Sequence, residues 1–232
     1  MMARAWAVVP AAGSGRRMGA ATAKQYLPLR GRPLLAHALA PLLGCKRIEA
    51  VVLVVAPDDN GWREAVAPGP RLLTAPGGPE RCHSVLNGLA ALADRAADDD
   101  WVLVHDAARP CLPAEDVEAL FEQLEQDPVG GLLALPLADT LKQADDQGHV
   151  LGTVPREGLW RALTPQMFRY GLLRQALAAA IESGDHVTDE AAAMELAGHR
   201  PALVAGSGSN LKVTTPADLA LAEAVLRARE EQ

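Results

Sequence analysis

Short apolar segments alternate with longer segments of helical periodicity through more than half of the chain. The apolar segments lie at residues 5–10, 50–56, 101–105 and 131–137, and the helical segments lie at 33–44, 81–93 and 114–123. Within each short segment the apolar residues are consecutive rather than alternate, which is typical of strands covered by helices on both faces of a mainly parallel, twisted sheet. The pattern therefore predicts an α/β fold.

Residues 138–156 depart from this alternation. The segment is polar and weakly periodic around a turn at residues 143–148, which favours two short strands and predicts a protruding β-hairpin arm. Because an isolated two-stranded hairpin is only marginally stable in water, the arm either packs on a partner subunit or is an ordinary surface hairpin. Both interpretations remain open at this point.

Size and charge restrict the class of protein. With 232 residues and no linker, the chain is expected to form a single domain, 1–232, that includes the arm. The 29 acidic residues exceed the 22 basic ones and give a net charge of -7, which disfavours nucleic acid or an anionic membrane as a partner. There are only four lysines, so an anionic ligand requires a local cluster of cations.

Cysteine usage and the chain start indicate a cytoplasmic protein. Cys45, Cys82 and Cys111 are odd in number and far apart, with neither a disulfide framework nor paired zinc spacing. The first ten residues carry no signal-type cleavage site, and the apolar segments are far shorter than the roughly 20 residues of a membrane span.

The strand at 5–10 runs into a glycine loop, Ala11-Ala-Gly-Ser-Gly-Arg-Arg-Met-Gly19. Small residues let the backbone approach a phosphate, and unpaired N–H groups there can hold its oxygens, while Arg16 and Arg17 add forked cationic donors. The third glycine of a dinucleotide fingerprint is missing, so a nicotinamide oxidoreductase is disfavoured. Lys24 follows closely enough to return to the same pocket.

A second strand, at 101–105, ends in His105 and is followed directly by Asp106. Ligands of open α/β sheets bind beyond the carboxyl ends of strands, so Asp106 is expected to face the same crevice and to bind a Mg²⁺ that carries substrate phosphates. A helix N-cap is the alternative for Asp106, and a core or capping role is preferred for His105.

A glycine turn at 77–78 enters a helix with Arg81 and Ser84 one turn apart, and it could hold a base or ribose.

These motifs resemble the 2-C-methyl-D-erythritol 4-phosphate cytidylyltransferase family over nearly the whole chain. The resemblance rests on segments 10–18, 24–26, 77–85, 104–110, 139–140, 156–160, 163–166, 188–190 and 210–214. It implies a nucleotide-diphosphosugar-transferase-like fold, a homodimer joined by the arm with an active site shared between subunits, CTP and methylerythritol phosphate as substrates, and Mg²⁺ or another divalent cation. No second, fused cyclase domain is expected.

The resemblance also implies roles for particular residues. Arg17 and Lys24 would be the catalytic, transition-state-stabilising groups, and Asp106 the metal ligand. The nucleotide would be held by Ala11, Ala12, Gly13, Gly15, Gly78, Ser84 and Ala107. The acceptor phosphate would be positioned by Arg156, Lys212, Thr140, Arg109 and Thr164, with Thr140 and Arg156 supplied by the partner's arm. Asn210 is expected to contact the metal or the ribose.

The chemistry agrees with these roles. A phosphate monoester has a second pKa of about 6, so the nucleophile is mostly dianionic at neutral pH and needs no general base.

A cytidylyltransferase for another polyol phosphate, such as ribitol 5-phosphate, remains an alternative because only the acceptor pocket would differ. A non-catalytic nucleotide-binding regulator is the alternative from another class.

Overall fold

The computed structural model describes residues 3–13 and 23–231. A seven-stranded sheet has the order β11-β7-β10-β6-β1-β4-β5. Its strands are β1 (Ala5–Pro10), β4 (Ile48–Val55), β5 (Leu72–Pro76), β6 (Trp101–Val104), β7 (Gly130–Pro136), β10 (Trp160–Arg169) and β11 (Ala202–Ala205). Every paired neighbour is parallel except β10, which runs antiparallel to both β6 and β7. The prediction of a mainly parallel sheet is confirmed.

Helices cover both faces of this sheet. They are α1 (Leu34–Gly44), α2 (Trp62–Ala65), α3 (Arg81–Ala90), α4 (Ala114–Leu124), α5 (Tyr170–Ser183), α6 (Glu190–Leu196) and α7 (Pro216–Glu230). Two small sheets complete the described part of the chain: a hairpin of β2 (Pro28–Leu29) with β3 (Arg32–Pro33), and the pair β8 (Leu141–Ala144) and β9 (Val150–Val154). No helix among the described residues is long and apolar enough to cross a membrane.

Successive residues of the central strands belong to different cores. Val9 and Leu53 pack on the face covered by α1 and α4, whereas Val8 and Val52 pack on the face covered by α3, α5 and α6. All four side chains are fully buried. Strands buried on both faces explain why their apolar residues are consecutive in the sequence.

Helix α7, the last element in the described part of the chain, has a capped N-terminus. Thr215 and Asp218 form a reciprocal capping box at the start of α7, with Pro216 in its first turn. Hydrogen bonds from Thr214 and Thr215 lower the pKa of Asp218 to about 2. Leu219 and Val225 of this helix pack against a small third core, which also contains Cys111.

The antiparallel strand β10 was not predicted. Its residues 163–165 interrupt the ladder with β7, because the register shifts between Ala162 and Gln166. Its first three residues are exposed and the rest are largely buried, so neither an alternating nor a continuous apolar pattern marks it in the sequence. The predicted helical segment 33–44 begins one residue later in the structure, because Pro33 is the N-cap residue of α1.

The arm contains the two short antiparallel strands that were predicted, β8 and β9. Val150 and Leu151, which are adjacent on β9, are 62% and 65% exposed. Apolar side chains this exposed on a two-stranded sheet leave surface that a partner could cover.

Candidate functional site

A cavity of about 530 Å³ opens beyond the carboxyl ends of β1 and β6. Five stretches of chain line it: Pro10–Gly13 after β1, Lys24 and Gln25, the segment from Gly78 to Arg81 with Ser84, Asp106–Ala108 after β6, and Lys212 with Thr214. The described start of the glycine loop, residues 11–13, and the acid after β6 therefore share one crevice, as parallel-strand geometry predicted.

Asp106 is the electrostatic centre of the cavity. Its Oδ1 accepts a hydrogen bond from Arg81 Nε at 3.1 Å, and its Oδ2 lies 2.8 Å from Lys212 Nζ and 3.8 Å from Arg109 Nε. Burial acts to raise the pKa of Asp106, but the charges of Arg81 and Lys212 outweigh it and hold that pKa well below its usual range. Asp106 is therefore a carboxylate throughout the neutral pH range.

A buried glutamate fixes Arg81 in turn. The two terminal nitrogens of Arg81 donate to the two carboxylate oxygens of Glu190 at 2.6 and 3.0 Å. Glu190 is fully buried at the start of α6. Burial works against the charge of Arg81, but the two carboxylates outweigh this and raise its pKa. A planar guanidinium bound at two points cannot rotate freely, so Arg81 is held in one orientation.

His105 and Thr164 support Asp106 from behind. Thr164 Oγ1 accepts a hydrogen bond from the Asp106 backbone N–H at 3.1 Å and lies 3.0 Å from His105 Nδ1. His105 Nε2 lies 3.1 Å from the Arg109 carbonyl oxygen, which can only accept, so Nε2 carries the proton and Thr164 donates to Nδ1. Complete burial lowers the pKa of His105 to about 4, so it is a neutral core histidine, as preferred from the sequence.

Arg109 and Asn210 lie beneath the cavity. Arg109 is 8% exposed and donates to the Asn210 carbonyl oxygen at 2.8 Å, while the Asn210 side-chain nitrogen donates to the Thr164 carbonyl oxygen at 2.8 Å. Asn210 has no exposed surface, so the expected contact with a metal or a ribose is wrong for this arrangement. Its side chain instead joins the segment after β11 to strand β10.

The segment after the glycine loop is tied into the site at three points. Gln25 Nε2 donates to the Ala11 carbonyl oxygen at 3.0 Å, Lys24 Nζ to the Val213 carbonyl oxygen at 2.9 Å, and the Tyr26 hydroxyl to Asp59 at 2.7 Å. These contacts bring the Lys24 ammonium into the same cavity as Asp106, as its spacing from the glycine loop suggested.

Glycine is required at both positions of the 77–78 turn. A Cβ on Gly77 would lie 2.3 Å from the Ala12 Cβ, and one on Gly78 would lie 2.4 Å from the His83 Cβ. The Gly78 N–H donates to Ser84 Oγ at 3.0 Å, which fixes the turn to the first turn of α3. The two glycine segments of the sequence therefore pack directly against each other at the cavity wall.

The predicted site residues fall into four groups. Those that line the cavity are Ala11, Ala12, Gly13, Lys24, Gly78, Ser84, Asp106, Ala107 and Lys212. Arg109 and Thr164 are buried behind Asp106. Thr140 and Arg156 are exposed on the arm, where Arg156 donates to the Ala138 carbonyl oxygen, and they do not line this chain's cavity. Gly15 and Arg17 lie outside the described residues.

Glu190 was not assigned a role from the sequence. Residues 188–190 were among the segments that carry the family resemblance, but nothing local connects them to Arg81, which is 109 residues away. Gln25 and Thr214, which line the cavity, were likewise given no role. Both lie in segments that carry the family resemblance, 24–26 and 210–214, beside Lys24 and Lys212.

The donor set fits a magnesium ion that arrives with phosphates. Among the described residues that line the cavity, three side chains are cationic, Lys24, Arg81 and Lys212, and two are carboxylates, Glu80 and Asp106. Mg²⁺ commonly takes one or two carboxylates and completes its coordination with waters and substrate phosphate oxygens. One ionised, fixed carboxylate at the cavity wall is consistent with that pattern.

Replacement of Arg81 by Met is expected to destabilise the fold by about 3–5 kcal/mol, because it leaves the buried Glu190 carboxylate without its charged partner. The double variant Arg81→Met/Glu190→Met should recover a large part of that loss. Urea unfolding followed by circular dichroism measures both effects.

Arg30→Met provides the matched control, since Arg30 pairs with Glu230 at 2.7 Å on the surface. An exposed pair contributes about 1 kcal/mol or less. Equal losses of stability in Arg30→Met and Arg81→Met would contradict the assigned role of the buried pair.

Comparison with known proteins identifies the family. The family model for 2-C-methyl-D-erythritol 4-phosphate cytidylyltransferase matches residues 5–228. A protein of that name from Dechloromonas aromatica is 58% identical over 232 residues, covering 99% of this chain and 100% of the relative. Another of that name, from an Azoarcus species, is 54% identical over 229 residues, covering 97% of this chain and 95% of the relative.

Solved structures agree with the sequence relatives. The crystal structure of a 4-diphosphocytidyl-2C-methyl-D-erythritol synthase has a TM-score of 0.85 at 38% identity and covers 97% of this chain and 100% of its own. The crystal structure of the Francisella tularensis 2-C-methyl-D-erythritol 4-phosphate cytidylyltransferase has a TM-score of 0.83 at 31% identity. The match covers 96% of this chain and 100% of the Francisella chain. A cavity lined by small residues that follow two strands, fixed cations and one central carboxylate is thus accompanied by full-length similarity, and the chain belongs to the 2-C-methyl-D-erythritol 4-phosphate cytidylyltransferase family of nucleotidyltransferases.

Proposed function

We propose that this enzyme transfers a cytidylyl group from CTP to 2-C-methyl-D-erythritol 4-phosphate, in the biosynthesis of isoprenoid precursors. The products are 4-diphosphocytidyl-2-C-methyl-D-erythritol and pyrophosphate. The observation that carries the proposal is the arrangement of Lys24, Arg81 and Lys212 around Asp106 in a cavity walled by two glycine segments. The names of the relatives, which match over nearly the full length of the chain, support the same activity.

The nucleotide would lie along the two glycine segments. The Ala11 N–H donates to the Val54 carbonyl oxygen at 2.7 Å, so Ala11 would contribute only its small side chain, while the backbone N–H groups of Ala12 and Gly13 would bind the triphosphate oxygens. We assign the same role to Gly15, which lies outside the described residues. Gly78 and Ser84 line the adjoining wall, where we place the cytosine, and Ala107 also lines the cavity. CTP carries more negative charge than the described cations of the cavity can neutralise, so a divalent ion would be needed.

Asp106 would hold that ion, Mg²⁺ or another divalent cation. When bound, the ion supplies neutralisation of the triphosphate charge. To coordinate it, an oxygen of Asp106 must exchange its contact with Lys212 or Arg81. The cation released in this way becomes available to phosphate oxygens of the substrates, so one carboxylate keeps the cationic groups in place before the substrates bind.

The reaction is an in-line displacement at phosphorus. A phosphate oxygen of the acceptor forms a bond to the α-phosphorus of CTP, and the bond from that phosphorus to the oxygen bridging to the β-phosphate breaks, so that pyrophosphate leaves. The acceptor oxygen is already anionic, and no proton has to be removed. Lys24 and Arg17 would stabilise the charge that develops on the α-phosphate. Stabilisation of developing charge by preorganised donors is usually the largest single contribution to an enzyme's rate enhancement.

The acceptor would be held partly by a second subunit. Lys212 lies in this chain's cavity, whereas Thr140 and Arg156 lie on the arm, outside it. A homodimer in which each arm reaches the other subunit's cavity would bring these groups together, and the exposed Val150 and Leu151 are suited to cover by a partner. Arg109 and Thr164 would act indirectly, because their side chains are buried and position Asp106 and its backbone.

We assign the protein to the cytoplasm, with no nucleic-acid or membrane partner. Cys45, Cys82 and Cys111 are all free thiols buried in the structure, which suits a reducing compartment. The net charge of -7 favours small, locally bound anions over an extended polyanionic surface.

The test is release of pyrophosphate from CTP and Mg²⁺ with each of two acceptors. We expect turnover with methylerythritol phosphate and much less with ribitol 5-phosphate. Preferential turnover of the ribitol phosphate would replace the acceptor and keep the reaction class. The absence of turnover with both acceptors would favour a non-catalytic nucleotide-binding role.

Removal of either proposed catalytic cation should slow the chemical step. Lys24→Ala and Arg17→Ala are each expected to lower kcat by about a hundred- to thousandfold, the loss typical of one preorganised donor. The exposed Lys46 supplies the control variant, Lys46→Ala, which should retain normal turnover. Near-normal kcat in Lys24→Ala, in protein with an unchanged unfolding midpoint, would refute its role.

A shared site predicts complementation between two inactive variants. A mixed dimer of Arg17→Ala with Arg156→Ala has one site with both native residues, so mixing the two proteins should restore part of the pyrophosphate release. Mixing Arg17→Ala with Lys24→Ala is the control, because both residues come from the same subunit and neither site is restored. If subunit exchange is verified and the first mixture recovers no activity, the site is not shared.

A further inference from the structure

Three potential metal ligands that the proposed reaction does not use lie at the start of α3. Glu80 is the N-cap residue of this helix, and Cys82 and His83 are in its first turn. A carboxylate oxygen of Glu80, the Cys82 thiol and a His83 ring nitrogen all lie within 4.8 Å of one another. Arg81, between them in sequence, points away from this cluster toward Asp106 and Glu190.

The distances match those of a tetrahedral zinc site. Cys82 Sγ lies 3.5 Å from His83 Nδ1 and 3.8 Å from Glu80 Oε2. With Zn–S near 2.3 Å and Zn–N or Zn–O near 2.1 Å, two ligands of a tetrahedral ion are separated by about 3.6 Å. Small side-chain rotations therefore suffice to bring all three donors to one ion.

We propose that Glu80, Cys82 and His83 bind a zinc ion at the edge of the nucleotide cavity. Thiolate and imidazole select Zn²⁺ over Mg²⁺, so this site is chemically distinct from the one assigned to Asp106. Three protein ligands leave a fourth position for water. The Cys82 thiol loses its proton to solvent when the metal binds.

Occupation of this site would act on the proposed nucleotide pocket, and this step rests on the proposed function. Glu80 itself lines the cavity, and the His83 Cβ lies directly against Gly78. A metal that links Glu80 to His83 would restrain the Gly78 turn and place the ion's fourth ligand, a water, at the cavity wall where the cytosine is proposed to bind. Bound zinc is therefore expected to raise the KM for CTP.

Cobalt provides a direct readout of the site that does not depend on activity. Titration of the full chain with Co²⁺ under reducing conditions should produce a thiolate-to-cobalt charge-transfer absorption band. Cys82→Ser should abolish the band. His83→Ala should weaken Zn²⁺ binding, measured by calorimetry, by more than about tenfold, since even outer-shell partners account for that much.

The control is Cys111→Ser, because Cys111 is a second buried free thiol in a different core. It should keep the cobalt band. Absence of the band in the wild type, or its persistence in Cys82→Ser, would overturn the site. If Cys82→Ser does not fold, His83→Ala decides the question, because His83 is only half-buried.

Inhibition by zinc tests the effect on the nucleotide. With Mg²⁺ in excess, Zn²⁺ should raise the KM for CTP in the wild type and not in His83→Ala. Equal inhibition of both proteins would overturn the coupling to the pocket. An enzyme without turnover would count against the proposed function, while the cobalt titration would still decide whether the metal site exists.

Discussion

The charge of Asp106 is the constraint on which the site depends. A carboxylate at the end of the central strand β6, largely out of water, must be paired with cations. Asp106 pairs with Arg81 from α3 and with Lys212 from the segment after β11. It also contacts Arg109, which lies three residues later in the loop after β6. Segments separated by more than a hundred residues are thereby joined at the cavity wall.

Further groups stabilise this arrangement from behind. Glu190 binds both terminal nitrogens of Arg81, and Thr164 accepts the backbone N–H of Asp106 while it donates to neutral His105. Glu190, Thr164 and His105 are buried, so a lost partner would leave an unsatisfied group in a medium of low dielectric constant. The cations are consequently oriented before any phosphate enters, and little reorganisation is needed during the reaction.

The parts of the fold that were predictable are those set by local periodicity. Strands β1, β4 and β6 are buried on both faces, and their runs of apolar residues show this directly. Strand β10 is exposed over its first three residues and largely buried over the rest, and its register is interrupted, so no single period describes it. The two strands of the arm were recognisable from their turn, but their sequence does not determine whether a partner subunit covers them.

For the site, the glycine segments, Lys24 and Asp106 were identifiable because each follows a strand or lies beside a glycine loop. Glu190, Gln25 and the supporting roles of Thr164 and Asn210 were not, because their partners are distant in sequence. The sequence by itself determined the parallel sheet, the crevice beyond its carboxyl edge and the residues that carry charge there. Only the tertiary structure decided which carboxylate pairs with which cation, because pairing depends on distance in space, and the order of residues along the chain does not determine that distance.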